Sequence, residues 1–400
     1  MHERDVTVSM SPDPWLPDAE TPGHLDDVSA GATDSVEGTV DIRPYLAATE
    51  PLGDASWGGP AAGGERATLV EVVPDDGSSL DPVRATSELV AVGRSPDVHP
   101  DDPWPEAGRK VLRFHLARTL ARVPGVVAGE DPEEIHAMRV AARRMRAAWR
   151  VFGDGFERKA RRRYVDDLRT IGARLGAVRD LDVLLGILAS HAARRGDRGR
   201  AGLGALLRAW SADREARRVE LVEVLRSEWF SDFVAEYEAF AGTEGLAALP
   251  AAAHVPGLVR TRMPSTAWTA YEAVWAFDDG LSRADLATLH QLRIAAKWLR
   301  YTLEFVREAL EPEGTQLIRT VVALQDHLGD QHDRHVAAML AREFATTDGS
   351  LSKHELRSIH RFIRELDDGV EQSGRAFLPA WRALAAPDYR RRLGRAIARL

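Results

Sequence analysis

The chain has 400 residues, no cysteine and a net charge of −8. Lacking thiols, it can form neither disulfides nor thiolate metal sites. It shows no basic-then-apolar secretory leader, and no apolar run approaches the roughly 18 residues that span a bilayer, so the expected compartment is the cytoplasm. The modest net charge conceals a split. Residues 1–103 carry 21 acidic and five basic residues, a balance of −16, whereas the remainder is +8. This is the asymmetry of an acidic tail beside an anion-binding domain.

In chain order, residues 1–103 hold 12 of the 21 prolines, many Gly, Asp and Ser, and scattered apolar residues. Too little apolar surface is available there to offset the entropy of ordering, so the segment is expected to be largely disordered. Its one strand-like run is 67–73. From Trp104 the composition changes to Ala, Leu, Arg and Glu with helical periodicity. Helices are expected over 105–120, from 132 to Gly153, and over 156–173, 178–195, 200–227 and 229–241. The stretch 241–264, with Gly242, Gly245, Pro250, Pro256 and Gly257, breaks the chain at its midpoint. Further helices are expected over 266–278, 283–309, 313–328, 332–345, 352–372 and 377–398. Asp131-Pro-Glu-Glu134 reads as an N-cap, a proline at N1 and a capping-box acid, and Ser282-Arg-Ala-Asp285 as the same signal again.

Two segments nearly coincide: His136-Ala-Met-Arg-Val-Ala-Ala-Arg-Arg-Met-Arg146 and His290-Gln-Leu-Arg-Ile-Ala-Ala-Lys-Trp-Leu-Arg300. Each places His, Arg, Arg or Lys, and Arg at i, i+3, i+7 and i+10, a narrow stripe on one helix. Ile135, Met138, Ala142, Met145 and Trp149 form a neighbouring apolar stripe, matched by Leu289, Leu292, Ala296, Leu299 and Leu303. Each helix therefore offers one face to a core and one to an anion, and two such helices make an extended polyanion the leading ligand. The repetition continues in Leu175-Gly-Ala-Val-Arg-Asp-Leu-Asp-Val183 and Leu328-Gly-Asp-Gln-His-Asp-Arg-His-Val336. Residues 104–400 thus read as one all-α domain of two homologous halves, 104–250 and 257–400, packed about a pseudo-twofold axis.

These paired motifs resemble the CHAD family, the conserved-histidine α-helical domain. The carrying residues are His136, Arg139, Arg143 and Arg146 with Arg179-Asp180, and His290, Arg293, Lys297 and Arg300 with Asp333. The resemblance spans about 300 residues. It implies two four-helix bundles around a central basic channel, binding of inorganic polyphosphate, and association with polyphosphate granules. Two positions depart from the pattern: His332 stands where an Asn often precedes the second Asp, and Glu304 matches Arg150. Residues 1–103 contain no Glu-x-Glu-x-Lys strand of the triphosphate-tunnel type, so no phosphatase activity is carried over.

A phosphate chain has no base edges to read and asks for repeated cations along a groove. Arg suits it, because a charged planar fork donates two hydrogen bonds to one phosphate. Arg139, Arg143, Arg146 and Arg150 span roughly 16 Å of helix. With His136, His290, Arg293, Lys297 and Arg300 they form the expected polyphosphate-binding set, to which Arg174 and Arg179 are added as channel-lining candidates. Asp180 and Asp333 are expected to orient stripe arginines. The basic run 158–163 reads as a solvated face that Arg162 could join to the track. No cofactor and no catalytic residue is expected. Two alternatives stand beside non-catalytic binding. One is a metal-dependent phosphohydrolase using His327, His332 and His335 with Asp326 or Asp330. The other is nucleic-acid binding, disfavoured because Trp149 reads as core and Trp298 is expected to face elsewhere. At −16, the N-terminal segment is an intramolecular competitor for the channel, and deleting residues 1–100 is expected to tighten polyphosphate binding.

Overall fold

The structure, a computed structural model, describes residues 95–250 and 257–400. The expectations of disorder and of a strand over 67–73 fall on residues 1–94, outside the described residues. Residues 95–103, which composition groups with the acidic segment, lie against the helical body. Val98 is buried, and the Lys110 ammonium donates to the Asp97 carbonyl at 3.0 Å and to both Asp102 carboxylate oxygens at 2.8 and 2.9 Å.

The described residues are all-α. The first half contains α1 (Trp104–Leu120), α2 (Val123–Ala128), α3 (Pro132–Phe152), α4 (Arg158–Ala193), α5 (Gly196–Gly202), α6 (Gly204–Leu225) and α7 (Glu228–Gly242). The second contains α8 (Val259–Trp275), α9 (Leu286–Phe305), α10 (Gly314–Thr347), α11 (Lys353–Ala376), α12 (Leu378–Ala385) and α13 (Pro387–Ile397). Extended pairing among the described residues is limited to two isolated bridges, Pro103 with Leu258 and Phe156 with Ala248.

The two motif helices begin on aspartates. The Asp131 carboxylate accepts from the Glu133 backbone N–H at 2.8 Å and Asp285 from that of Thr288 at 2.8 Å, satisfying amides that have no intrahelical acceptor. The expected capping-box acid, Glu134, instead accepts from the Arg122 guanidinium at 3.0 Å. In the second half the cap is Asp285 rather than Ser282, so α9 starts at Leu286. The larger corrections are continuities. The expected pairs 156–173/178–195 and 313–328/332–345 are each one helix, α4 of 36 residues and α10 of 34. The Leu-Gly motif falls at the expected junction in both halves. It lies inside a helix in both, and in the first half Gly176 is a contact point for Arg139 of another helix rather than a stop. Conversely, the expected 377–398 helix breaks at Pro387, which starts α13.

Packing follows the repeat. In the first half α1, α3, α4 and α6 pack in succession, and α8, α9, α10 and α11 do the same in the second. Across the halves α1 meets α8, α3 meets α9, α4 meets α10 and α6 meets α11. Equivalent helices thus face one another, the relation expected of a pseudo-twofold pair. Both apolar stripes are interior: Met138, Ala142, Met145 and Trp149 are fully buried, as are Leu292, Ala296, Leu299 and Leu303. Trp149 donates its indole N–H to the Tyr237 hydroxyl at 2.7 Å, so its polar edge is satisfied in the core. One further apolar cluster joins Leu184 and Leu188 of α4, Trp210 of α6, Leu340 and Phe344 of α10, and Phe362 of α11. The halves therefore share a core and do not stand as separate bundles.

Candidate anion-binding site

The crossing of α3 and α9 positions the site. Each helix turns its apolar stripe into its own half, leaving the cationic flank at the junction. Arg139, Arg143 and Arg146 from α3, Gly172 from α4, and Lys297, Trp298 and Tyr301 from α9 line one cavity, about 510 Å³ counted to its solvent mouth. Four expected binding residues from two sequence-distant helices are thus brought together.

Several of these cations are nearly removed from water. Arg139 is 3% exposed, Arg293 1% and Lys297 7%. Desolvating guanidinium and ammonium groups is costly unless opposite charge stands nearby. Asp180 on α4 supplies some of it, its Oδ1 lying 3.4 Å from Arg139 Nη2. Burial pushes the Asp180 carboxyl upward, while Arg139, Arg293, Arg179 and Lys297 pull it down. One carboxylate therefore feels cations from α3, α4 and α9 together, which places Arg179 in the same electrostatic cluster. Gly176, one turn before Asp180, gives Arg139 room. A Cβ there would stand 2.7 Å from Arg139 Nη1.

The histidines sit at the cluster's edge. The His136 side chain is 12% exposed, with Nε2 4.0 Å from Glu133 Oε1. The His290 ring lies 5.0 Å from that of His332. His332 is held neutral, pushed down to about 2 by burial and then by Arg293, His290, Lys297 and His335. This has a consequence for stability. An unfolded histidine takes its proton near pH 6.5, whereas His332 in the folded chain does so only near 2. Its contribution is therefore complete above about pH 6.5 and is lost as pH falls, at about 1.4 kcal/mol per pH unit. Urea unfolding measured from pH 8 to 5 should show this decline, and His332→Gln should flatten it. An unchanged pH slope in the variant would remove His332 as its source.

Other expected residues lie apart. Arg150 places its guanidinium 4.3 Å from the Trp298 ring centroid, a cation–π contact across the halves. Arg174 pairs with Glu220 of α6. Arg300 donates to Glu304 Oε1 at 2.7 Å and to Gln325 Oε1 at 3.1 Å, and lines a second cleft. Arg162 is 85% exposed, 3.9 Å from Asp166, and Arg163 pairs with Glu236, so the 158–163 run is engaged on a solvated face. In the His-rich segment, Asp330 accepts from Arg334 at 2.9 Å and from the Ser373 hydroxyl at 2.8 Å. No group of three or more His, Asp or Glu among the described residues is arranged to hold a metal ion.

Sequence reasoning missed the aromatic wall. Trp298 was expected to face elsewhere but lines the cavity with Tyr301. Their positions follow from the angle at which α9 crosses α3, which periodicity within one helix does not encode. It also missed Arg144, which donates to Glu304 at 3.0 Å across the halves. Glu304 is thus clasped between Arg144 and Arg300, and these two cations hold its carboxyl below the usual range against the opposing effect of burial.

No helix of the described residues is long and apolar enough to cross a membrane. No curated protein matches the chain. Among solved structures, PptA from Streptomyces chartreusis is similar with a TM-score of 0.56 at 21% identity, covering 70% of this chain and 100% of that one. The CHAD domain from the plant Ricinus communis is similar with a TM-score of 0.52 at 24% identity, covering 77% and 98%. At these identities the two establish a shared fold. The family model of the CHAD domain matches residues 110–342, more than half of the chain and both copies of its His-Arg helix. The chain belongs to the CHAD family.

Proposed function

We propose that this protein binds inorganic polyphosphate without turning it over, in the cavity where α3 crosses α9. The observation that carries the reading is the convergence of Arg139, Arg143, Arg146 and Lys297 on one opening between the halves. A linear polyanion with no other recognition features matches a row of cations better than a closed pocket would. The His136 and His290 rings stand where each row begins, and Arg293 and Arg179 add field from behind. Binding is driven by phosphate neutralisation with counterion release, so affinity falls with rising salt. Calorimetric titration with long-chain polyphosphate at two ionic strengths tests this, with free phosphate assayed in the same samples. Salt-insensitive binding would overturn the site, and released phosphate would overturn the non-catalytic reading. Association with polyphosphate granules is the cellular extension, checked by localising a fluorescent fusion in cells with and without the polymer.

Trp298 and Tyr301 give the nucleic-acid reading one supporting observation, since aromatic faces stack on bases. Arg150 already covers the Trp298 ring, which favours the phosphate chain. Single-stranded DNA displacing polyphosphate at equal charge would reverse that preference.

Gly176→Ala tests the place of Arg139 in the site. Alanine favours a helix interior by about 1 kcal/mol over glycine, whereas its Cβ would push the Arg139 guanidinium from its place. Because the displaced Arg139 also loosens from Asp180, the gain in helix propensity is offset and Tm should not rise, while polyphosphate affinity should fall about tenfold, the effect of one lost phosphate contact. Unchanged affinity would exclude Arg139 from the binding set.

A further inference from the structure

A second cleft shares no lining residue with the first. It is formed by Phe114, His115 and Arg118 of α1, Arg144 of α3, Arg300 and residues 304–308 at and beyond the end of α9, and one face of α10 with Ile318, Arg319 and Val322. Its cavity volume is about 380 Å³, a size suited to a small organic ligand. Its chemistry differs from that of the cation row, because carboxylates and aliphatic side chains alternate with its arginines, whereas no carboxylate lines the first cavity.

Three features coexist here. The first is an aromatic surface, with the His115 ring 4.9 Å from that of Phe114 and 6.3 Å from that of Phe305. The second is a pair of cations, Arg118 and Arg319, with little local neutralisation. Arg118 stacks 5.3 Å from the Phe114 centroid, and burial, Arg144 and Arg122 all disfavour its charge. Neither Arg118 nor Arg319 has a carboxylate within ion-pair distance among the described residues. Three of the four acids lining the cleft have named partners: Glu304 is held by Arg144 and Arg300, Asp97 lies 3.1 Å from His99, and Glu308 accepts from the Ser95 hydroxyl at 2.7 Å. The third is an unmet polar group. His115 is 6% exposed and its Nδ1 has no hydrogen-bond partner among the described residues. A buried polar atom in that state is a cost the fold alone leaves standing.

We propose that this cleft binds a nucleoside phosphate, with the planar base against Phe114 and His115 and the phosphates towards Arg118 and Arg319. Aromatic rings stack on a base and arginines take phosphate. The site is separate from the polyphosphate cavity and does not depend on that reading.

The test is calorimetry of the full chain with ADP, with adenosine and inorganic phosphate titrated separately. ADP should bind at least tenfold more tightly than either fragment. Arg118→Ala should weaken ADP at least tenfold, and Val322→Trp, which fills the cleft, should abolish binding. Polyphosphate affinity should be unchanged in both variants. The proposal is overturned if ADP does not bind or if phosphate alone binds as well. It is equally overturned if ADP binding is lost in Arg143→Ala/Arg146→Ala but retained in Val322→Trp, since ADP would then be sitting in the first cavity.

Discussion

Replacing Arg143 and Arg146 together by alanine is expected to weaken polyphosphate binding about 100-fold at 0.1 M salt and to lower the magnitude of the salt slope by about two units. These two are the appropriate targets because both line the cavity while remaining partly exposed. Arg139 and Arg293 are 3% and 1% exposed, and their removal would open space in the interior and confound binding with stability. The matched control is Arg162→Ala/Arg174→Ala. It removes the same formal charge from positions that pair with Asp166 and Glu220 outside the cavity. If polyphosphate is held at the α3–α9 crossing, the control leaves the salt slope within half a unit of the parent. If both double variants reduce the slope equally, binding is a diffuse response to net charge and the cavity has no special role. Isothermal titration at three salt concentrations distinguishes the two, with thermal unfolding run alongside to show that both variants remain folded.

The elements of that argument were unequally visible in the sequence. The stripe His136, Arg139, Arg143 and Arg146 was legible because helical periodicity alone puts these residues on one flank, and its apolar neighbours Met138, Met145 and Trp149 fix which flank is inward. The start of α3 was legible because Asp131 and Pro132 are local signals. The continuity of α4 through Gly176 was not. A glycine inside a helix and a glycine ending one look alike until the guanidinium that occupies its missing side chain is located. Arg300 repeats Arg146 in the motif, yet Glu304 and Gln325 draw it towards the second cleft. That divergence comes from one substitution, Glu304 for the equivalent of Arg150, whose effect depends on Arg144 arriving from the other half. Trp298 and Tyr301 were placed by the crossing of two helices. In general, intrahelical position was readable, and apart from Asp180 beside Arg139, partners supplied by another helix were not.

The largest effect on the fold itself is expected at Asp180. Its carboxylate is 3% exposed and faces Arg139, Arg293, Arg179 and Lys297. Asparagine has nearly the same shape but removes the charge, leaving buried cations with less compensation. Breaking a buried pair from one side costs about 3–5 kcal/mol, which for a domain of this size corresponds to a fall in Tm of roughly 6–10 °C. The same change should strengthen ligand binding. Asp180 stands in the field that attracts polyphosphate and opposes it, so Asp180→Asn adds one effective positive charge. Affinity should rise by about tenfold at 0.1 M salt. A ligand that binds only the folded chain then restores stability by mass action, so saturating polyphosphate should recover more degrees of Tm in the variant than in the parent. A carboxylate with a purely structural role would lower Tm and leave affinity alone or weaken it. Only an internal anion holding the place of a ligand phosphate lowers stability and raises affinity together, and thermal melts with and without polyphosphate read both quantities in one experiment.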